Sequence, residues 1–569
     1  MTRTLYAWLA AVMAAALAPP AGSAPPASNA AGAAPARDGL PLLPLLPLLA
    51  PASMPRPGTP PPGVAVSFPA PVPAAVPPSP SLPADPPSPA APPTAVPVAR
   101  GPAVAAPPRG TLLAGPTVVP IDLVTDTVHK LEPALLRTLL QRREGLLAIT
   151  GEPRCTIAVH SMRYQTVGGQ GEPADAGAVI MLPSGAGPDC SGPRPVLLYA
   201  HGTVLDKTFS MARLNGEARL IASMFAAQGY IVVAPDYAGY GSSSLPYHPY
   251  LNAEQQAGDM VDALRAARSA YAALGAQPAP RLFLTGYSQG GFVALATQRA
   301  IQLHHAGEFS VTATAALSGP YALVKMADSI FSGHPNTGVT SYLPLLTTSG
   351  QRAGAALYAA PEDLYEARYA SGIETLLPNK VRLADLVSKG KLPKGALFAR
   401  DSQPQAADAS AFFADRNLVR TSYRNAYLQD MASNPCGRDP AEPLACSPQH
   451  NLRKWMQKND LRTYTPSTPL MLCGAGKDPV VPFSNASAAH AYFKAHGAAP
   501  VLVDLETPEA DDPYLPFKQA FARERDTMRD DAVKKGDDPV KAVSDRYHSR
   551  LAAQFCLMAA RNFFQSTMP

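Results

Sequence analysis

Ser288 stands in the stretch LFLTGYSQGGF, residues 282–292, with a glycine two places before it and glycines two and three places after it. A serine hydroxyl is a poor nucleophile alone. It becomes a good one when a base, most often histidine, takes its proton and a carboxylate holds that base in the right tautomer. The chemistry so enabled is acyl transfer, which also needs backbone amides aimed at the oxygen that turns negative. The competing reading of Gly-x-Ser-x-Gly is an ordinary turn in which the serine is merely small. The surroundings separate the two. RLFLTG (281–286) is an apolar, strand-like run, and a helical stretch from Gln289 to about His304 follows it. Ser288 therefore sits at a strand-to-helix joint, where a tight turn strains the serine and lifts its hydroxyl above the sheet edge. Gly286, Gly290 and Gly291 supply the room such a turn needs. The amide of Gln289 would then point at whatever the serine attacks.

The elements around this joint alternate. CTIAVHSMRYQTV (155–167) and AGAVIMLP (176–183), separated by turn-forming residues, read as an antiparallel hairpin. After it come PVLLYAHG (195–202), a helical stretch ending near Gly229, and YIVVAPD (230–236). Asn252 with Gln255 caps a long amphipathic segment that Gly275 stops. Strands alternating with helices imply right-handed crossovers and a parallel sheet. Further sheet-like runs are VTATAALSG (311–319), TPLMLCGAG (468–476) and PVLVDLE (500–506). Between Pro320 and about Thr468 lies a long insertion with helical patterning, too large for a loop and placed like a cap over the active site (320–467).

Composition bounds the rest. About half of the 65 prolines of this 569-residue chain precede residue 121. Residues 1–24 carry an arginine near the start, an apolar stretch from Leu5 to Leu17, and small residues suited to cleavage, the pattern of a secretory signal peptide. Cleavage after Ala24 would leave Pro25 next, so Ala30 is a second candidate site. Residues 25–118 are rich in Pro and Ala and read as an extended, disordered tether before a folded domain at 119–569. LPLLPLLPLLAP (40–51) within it is more apolar, and the tether could hold the protein at the cell envelope. The net charge of +5, with 16% charged residues and no basic stripe, gives no reason to expect a nucleic-acid partner. All six cysteines lie behind the tether without CxxC spacing, which in an exported chain favours disulfides. Cys436, Cys446 and His450 lack a fourth ligand at usable spacing for zinc.

YAHGT (199–203), APDYAGYGSS (234–243), TGYSQGG (285–291) and GAGKDPVVP (474–482), in this order, resemble the secretory-lipase and esterase branch of the α/β-hydrolase superfamily over about residues 150–569. Cutinases also carry GYSQG, but they are shorter and lack so large an insertion. The resemblance implies an α/β-hydrolase fold: a mostly parallel sheet with an N-terminal antiparallel hairpin and a large helical cap insertion. It implies the chain order serine, acid, histidine. Asp478, two residues beyond Gly476, is then the acid, with Asp504 as the alternative and a helix cap before Pro479 as its bland reading. His548, after the last strand and before a closing amphipathic helix, is the base. Thr203 contributes the second oxyanion amide beside Gln289. His201 holds that loop, and Asp236 shapes its own.

The function implied is a secreted or periplasmic serine carboxylesterase or lipase, acting on a small-molecule or lipid ester through an acyl-serine. An amidase or peptidase of the same fold is the alternative, and would need a charged anchor for the substrate amine. A catalytically silent binding module on a Pro-rich stalk is another. No metal or cofactor is expected, since the chain has no HExxH, no P-loop and no GxGxxG after a strand. The expected disulfides are Cys155 with Cys190 across the first hairpin, Cys436 with Cys446 in the cap, and Cys473 with Cys556 between the acid's strand and the closing helix.

Overall fold

The apolar runs become strands of one mixed sheet in the computed structural model, which describes residues 106–122, 127–142 and 145–568. The expected signal segment and the tether up to residue 105 lie outside the described residues. The principal strands are β1 (Leu112–Val118), β2 (Thr156–Val167), β3 (Pro173–Ser184), β4 (Arg194–Ala200), β5 (Ile231–Pro235), β6 (Pro278–Tyr287), β7 (Val311–Leu317), β8 (Leu470–Gly474) and β9 (Val501–Asp504). Their spatial order is β1-β2-β3-β5-β4-β6-β7-β8-β9. From β5 to β9 all neighbours are parallel, while β1, β2 and β3 pair antiparallel and join β5 antiparallel. The chain leaves β4 toward β5 on one side and leaves β6 toward β7 on the other, so the direction reverses between β4 and β6. Such a reversal opens a crevice at the carboxyl ends of parallel strands.

Alternation along the strands feeds two cores. On β4, Val196, Leu198 and Ala200 face one side, and Leu197 and Tyr199 face the other. The first side is covered by α2 (Ala253–Ala270) and α3 (Gln289–His304). The second is covered by α1 (Gly216–Met224) and the C-terminal helix α11 (Ala553–Ser566). Because both faces are buried, β4, β5 and β6 read as continuous apolar runs rather than alternating ones. Asn252 accepts the Gln255 amide at the start of α2, as the capping pattern implies.

Between β7 and β8 the named elements are helices joined by long irregular stretches, including α4 (Leu323–Phe331), α5 (Val339–Arg352), α6 (Thr421–Ser433) and α7 (Asn451–Asn459). Arg453 of α7 is fully buried and bonds Asp328 of α4 (3.1 Å) and Asp430 of α6 (2.8 Å), so three of these helices share one cation. After β8 come α8 (Ser484–Ala495), β9, α9 (Leu515–Lys535) and α10 (Pro539–Arg546).

One boundary moves. The tether was expected to run to residue 118, yet Leu112–Val118 is strand β1, paired with β2, and Arg109 bonds Asp262 of α2 at 2.9 Å. The physical reason is that TLLAGPTVV carries enough apolar and β-branched residues to pair at a sheet edge, where its proline is tolerated. The disulfides are Cys155–Cys190, Cys436–Cys446 and Cys473–Cys556, the expected pairs.

Candidate functional site

Ser288 occupies the joint between β6 and α3 with φ 60° and ψ −121°, a left-handed conformation costly for any residue but glycine. Close packing enforces it. A Cβ on Gly286 would run into the Ala200 and Gly290 carbonyl oxygens, and one on Gly290 into the Ala200 carbonyl. Only hydrogen fits at either position, so the turn can press against the end of β4. Gln289 is the first residue of α3, and its amide has no intrahelical acceptor by construction. The helix dipole adds a positive end at the same place.

The other oxyanion candidate lies alongside. A Cβ on Gly202 would sit 3.9 Å from the Ser288 Cβ. The loop after β4 is anchored on several sides. The Gly202 amide donates to Glu217 Oε1 (3.0 Å), the Tyr237 hydroxyl to the His201 carbonyl (2.9 Å) and the Tyr240 hydroxyl to the Val204 carbonyl (2.5 Å). The Thr203 amide donates to no acceptor among the described residues. His201 is buried, stacks on Tyr237 at 4.0 Å, and its two ring nitrogens lie 2.7 and 3.1 Å from the carbonyls of Gly202 and Asp236. It is engaged in holding the loop. Asp236 accepts the Met211 amide (2.7 Å), a loop-shaping contact.

His548 and Asp478 meet. His548 Nδ1 lies 2.6 Å from Asp478 Oδ2, with both side chains buried. The other oxygen, Oδ1, accepts the amides of Val480 (2.9 Å) and Val481 (3.1 Å). The carboxylate thus shapes its own turn with one oxygen and meets the imidazole with the other. Donation from Nδ1 leaves Nε2 with the lone pair, and Nε2 is buried with no partner. His548 lies in a π-helical turn, Tyr547–Ala552, a widening of the helix frequent at functional sites. Asp504 stands elsewhere: its Oδ1 accepts the amides of Gly476 (2.8 Å) and Glu506 (3.0 Å) and so braces the loop that carries Asp478.

Tyr287, the residue before the serine, joins the two parts. Its hydroxyl donates to the His548 carbonyl at 2.6 Å, and the two rings lie 4.9 Å apart. No hydrogen bond joins Ser288 to the free His548 Nε2 here. Such bonds are often loose without substrate and tighten in the complex.

Sequence reasoning missed three supporting residues: Tyr287, Tyr250 and His248. His248 Nδ1 is 2.9 Å from the Ala238 carbonyl and must donate to it, so Nε2 accepts from Gln289 Nε2 at 2.7 Å. Burial pushes its pKa down to about 3 and keeps the ring neutral. The run YHPYLN, a histidine between tyrosines just before a helix cap, is the available signal.

A cavity opens over Ser288, Thr203 and Gln289. Its far walls come from the helices between β7 and β8 (Leu323, Met326, Ile330, Phe331, Leu343, Leu346, Leu452, Met456) and from Val480 and Val481 beside Asp478. None of its lining residues is charged. The arrangement can receive an apolar acyl group, deliver a serine hydroxyl to its carbonyl, and hold the resulting charge with amides.

The Secretory lipase family matches residues 207–342. Among solved structures, a ligand-bound form of the rice cell wall degrading esterase LipA from Xanthomonas oryzae is similar at 26% identity and TM-score 0.59, over 80% of this chain and 98% of that one. Another structure of LipA aligns at 29% identity and TM-score 0.56, over 75% of this chain and all of the other. A Legionella pneumophila protein shares the fold at 19% identity, TM-score 0.56, over 77% of this chain and 96% of its own. No curated protein matches the chain by sequence.

Proposed function

We propose that this chain, an esterase or lipase of the secretory lipase and esterase-like branch of the α/β-hydrolase superfamily, cleaves carboxylic esters through an acyl-serine intermediate. The observation that carries the serine mechanism is the buried contact between His548 Nδ1 and Asp478 Oδ2, set against the strained turn at Ser288. Ser288 Oγ attacks the ester carbonyl while His548 Nε2 takes its proton. Asp478 holds the imidazole in the tautomer that leaves Nε2 free and stabilises the imidazolium that forms. The carbonyl electron pair moves to oxygen and is met by the amides of Thr203 and Gln289. Collapse breaks the bond to the alcohol oxygen, which leaves with the proton from His548. Water then repeats the sequence on the acyl-serine and releases the acid.

The neutral lining of the cavity favours esters over amine-bearing peptide substrates, because a cationic anchor has no carboxylate to meet there. Export is part of the reading. Three disulfides suit an oxidising compartment, and no helix among the described residues is long and apolar enough to cross a membrane.

The test is turnover of a ladder of nitrophenyl esters alongside aminoacyl anilides. We expect ester hydrolysis that falls to background in Ser288→Ala, with the variant folded and anilides untouched. A folded Ser288→Ala that kept more than a few per cent of the activity would require another nucleophile.

A further inference from the structure

The two proposed oxyanion amides belong to different elements, Thr203 to the loop after β4 and Gln289 to the first turn of α3. A charge between them is met well only if the two elements keep a fixed separation. His248 stands where it can fix it. The residue is 1% exposed, and its Nδ1 lies 2.9 Å from the Ala238 carbonyl, which can only accept. Ala238 is held in turn, since its amide donates to Asp259 of α2 at 2.7 Å. With the Nδ1 proton so placed in a neutral ring, Nε2 is an acceptor. It takes a hydrogen bond from Gln289 Nε2 at 2.7 Å, while Gln256 Nε2 stands farther off at 3.5 Å. Gln289 is also 1% exposed, and among the described residues its side chain has this one partner, with Oε1 buried and bare. The orientation of that side chain therefore depends on His248 alone.

The same ring is bordered by three tyrosines. Tyr237 stacks on it at 5.7 Å, Tyr240 lies at 4.6 Å and Tyr250 at 6.2 Å. Each reaches the other loop through its hydroxyl. Tyr237 donates to the His201 carbonyl (2.9 Å), Tyr240 donates to the Val204 carbonyl (2.5 Å), and Tyr250 shares a hydrogen bond with Thr203 Oγ1 (3.1 Å). These contacts bracket the Thr203 amide. His248 thus meets one half of the site by a hydrogen bond, and the other by packing against the side chains that hold it.

We propose that His248 is a positioning residue that sets the spacing between the Thr203 and Gln289 amides. This rests on the acyl-serine reading above. The ring does not line the cavity over Ser288 and moves no proton. It acts on the transition state because the spacing of the donors matters most when the carbonyl oxygen bears its full charge.

Two amide side chains divide the hydrogen bonds of the ring. His248→Gln can place an oxygen near the position of Nε2, keeping the acceptor for Gln289 and losing the bond to Ala238. His248→Asn is shorter and can keep the donor to Ala238 while losing Gln289. On p-nitrophenyl butyrate we expect kcat to fall about 10- to 30-fold in His248→Asn with KM changed less than about threefold, and kcat to fall less than about threefold in His248→Gln. An alkyl trifluoromethyl ketone, whose serine adduct carries the oxyanion, should bind more weakly to His248→Asn in parallel with kcat. Gln289→Met cuts the same bond from the other end and keeps the backbone amide, so it should lower kcat by a similar factor. The double variant His248→Asn/Gln289→Met should be no worse than either single one, because both remove one interaction. A merely structural role would make the losses follow Tm and add. The proposal is overturned if folded His248→Asn keeps its kcat, if His248→Gln loses as much, if ketone binding does not weaken with kcat, or if the two single losses add. Should His248→Asn fail to fold, Gln289→Met is judged by its kcat, KM and ketone binding in the same way. Activity persisting in Ser288→Ala would instead defeat the acyl-serine reading itself.

Discussion

The Tyr287 hydroxyl donates to the His548 carbonyl at 2.6 Å, so the residue preceding the proposed nucleophile holds the backbone of the proposed base. The contact spans 261 residues of chain and locks the π-helical turn against the end of β6. A neutral hydrogen bond of this kind contributes about 1 kcal/mol. Tyr287→Phe keeps the ring and loses the bond. We expect kcat to fall about five- to tenfold, with Tm lowered by only a few degrees. Steady-state kinetics paired with a melting curve check it, and an unchanged kcat would mean that the turn is held by its other contacts.

Asp478 and Asp504 stand at the carboxyl ends of neighbouring strands and do different work. Asp478→Asn keeps the size but permits the wrong imidazole tautomer, a change worth about 10⁴ in kcat in a well-studied triad. The Asp504 oxygen that accepts the Gly476 and Glu506 amides has an equivalent in asparagine. Asp504→Asn should therefore cost less than about tenfold. The opposite ranking, on variants shown to be folded by circular dichroism, would move the acid to β9.

Much of this was legible in the sequence because it is local. The buried parallel strands announce themselves as apolar runs, and the Ser288 turn is written in Gly286, Gly290 and Gly291. The meeting of His548 with Asp478 needed the resemblance, since the two lie 70 residues apart and no periodicity links them. Strand β1 was hidden because Pro116 and the Pro-rich stretch before it read as tether, while an edge strand pairs on one side only. Tyr287, His248 and Tyr250 were passed over for a different reason, although YHPYLN carries a faint signal for the last two. Each acts through a hydrogen bond whose partner lies across the fold, and a tyrosine or histidine in an apolar setting looks like ordinary core.

The Cys473–Cys556 disulfide ties β8, which leads to the Asp478 loop, to α11, which follows His548, across a sequence separation of 83. Both sulfurs are buried. Cys436–Cys446 closes a separation of only 10 within the helical insertion. Loop-closure entropy assigns about 4 to 5 kcal/mol to the first and about 3 kcal/mol to the second. We expect Cys473→Ala/Cys556→Ala to lower Tm more than Cys436→Ala/Cys446→Ala, and to cost more activity. Differential scanning calorimetry of the two double variants decides it. A larger loss from the shorter loop would show that the insertion, rather than the sheet, limits stability.

Asp259 on α2 gives the fold a pH dependence of its own. It is buried and accepts the Tyr164 hydroxyl (2.8 Å) and the Ala238 amide (2.7 Å). Loss of water pushes its pKa up to about 7, and these two hydrogen bonds only partly oppose the shift. In the unfolded chain the same carboxyl titrates near 3.9. Below about pH 4 both states hold the proton, and the group has no effect on the pH slope. Between about 4 and 7 the folded state keeps a proton that the unfolded state has released, so stability falls as pH rises, by up to about 1.4 kcal/mol per pH unit. Above about 7 both states are ionised and this contribution is flat. Asp259→Asn abolishes the titration. Its Oδ1 can still accept the Ala238 amide, and the Tyr164 hydroxyl can turn to accept from the new amide nitrogen. The variant should therefore gain in Tm relative to the unaltered protein as pH rises from 4 to 7, with the difference constant beyond. Melting curves collected across pH 4 to 9 read this directly, and parallel Tm profiles for the two proteins would show that Asp259 is ionised in the fold throughout.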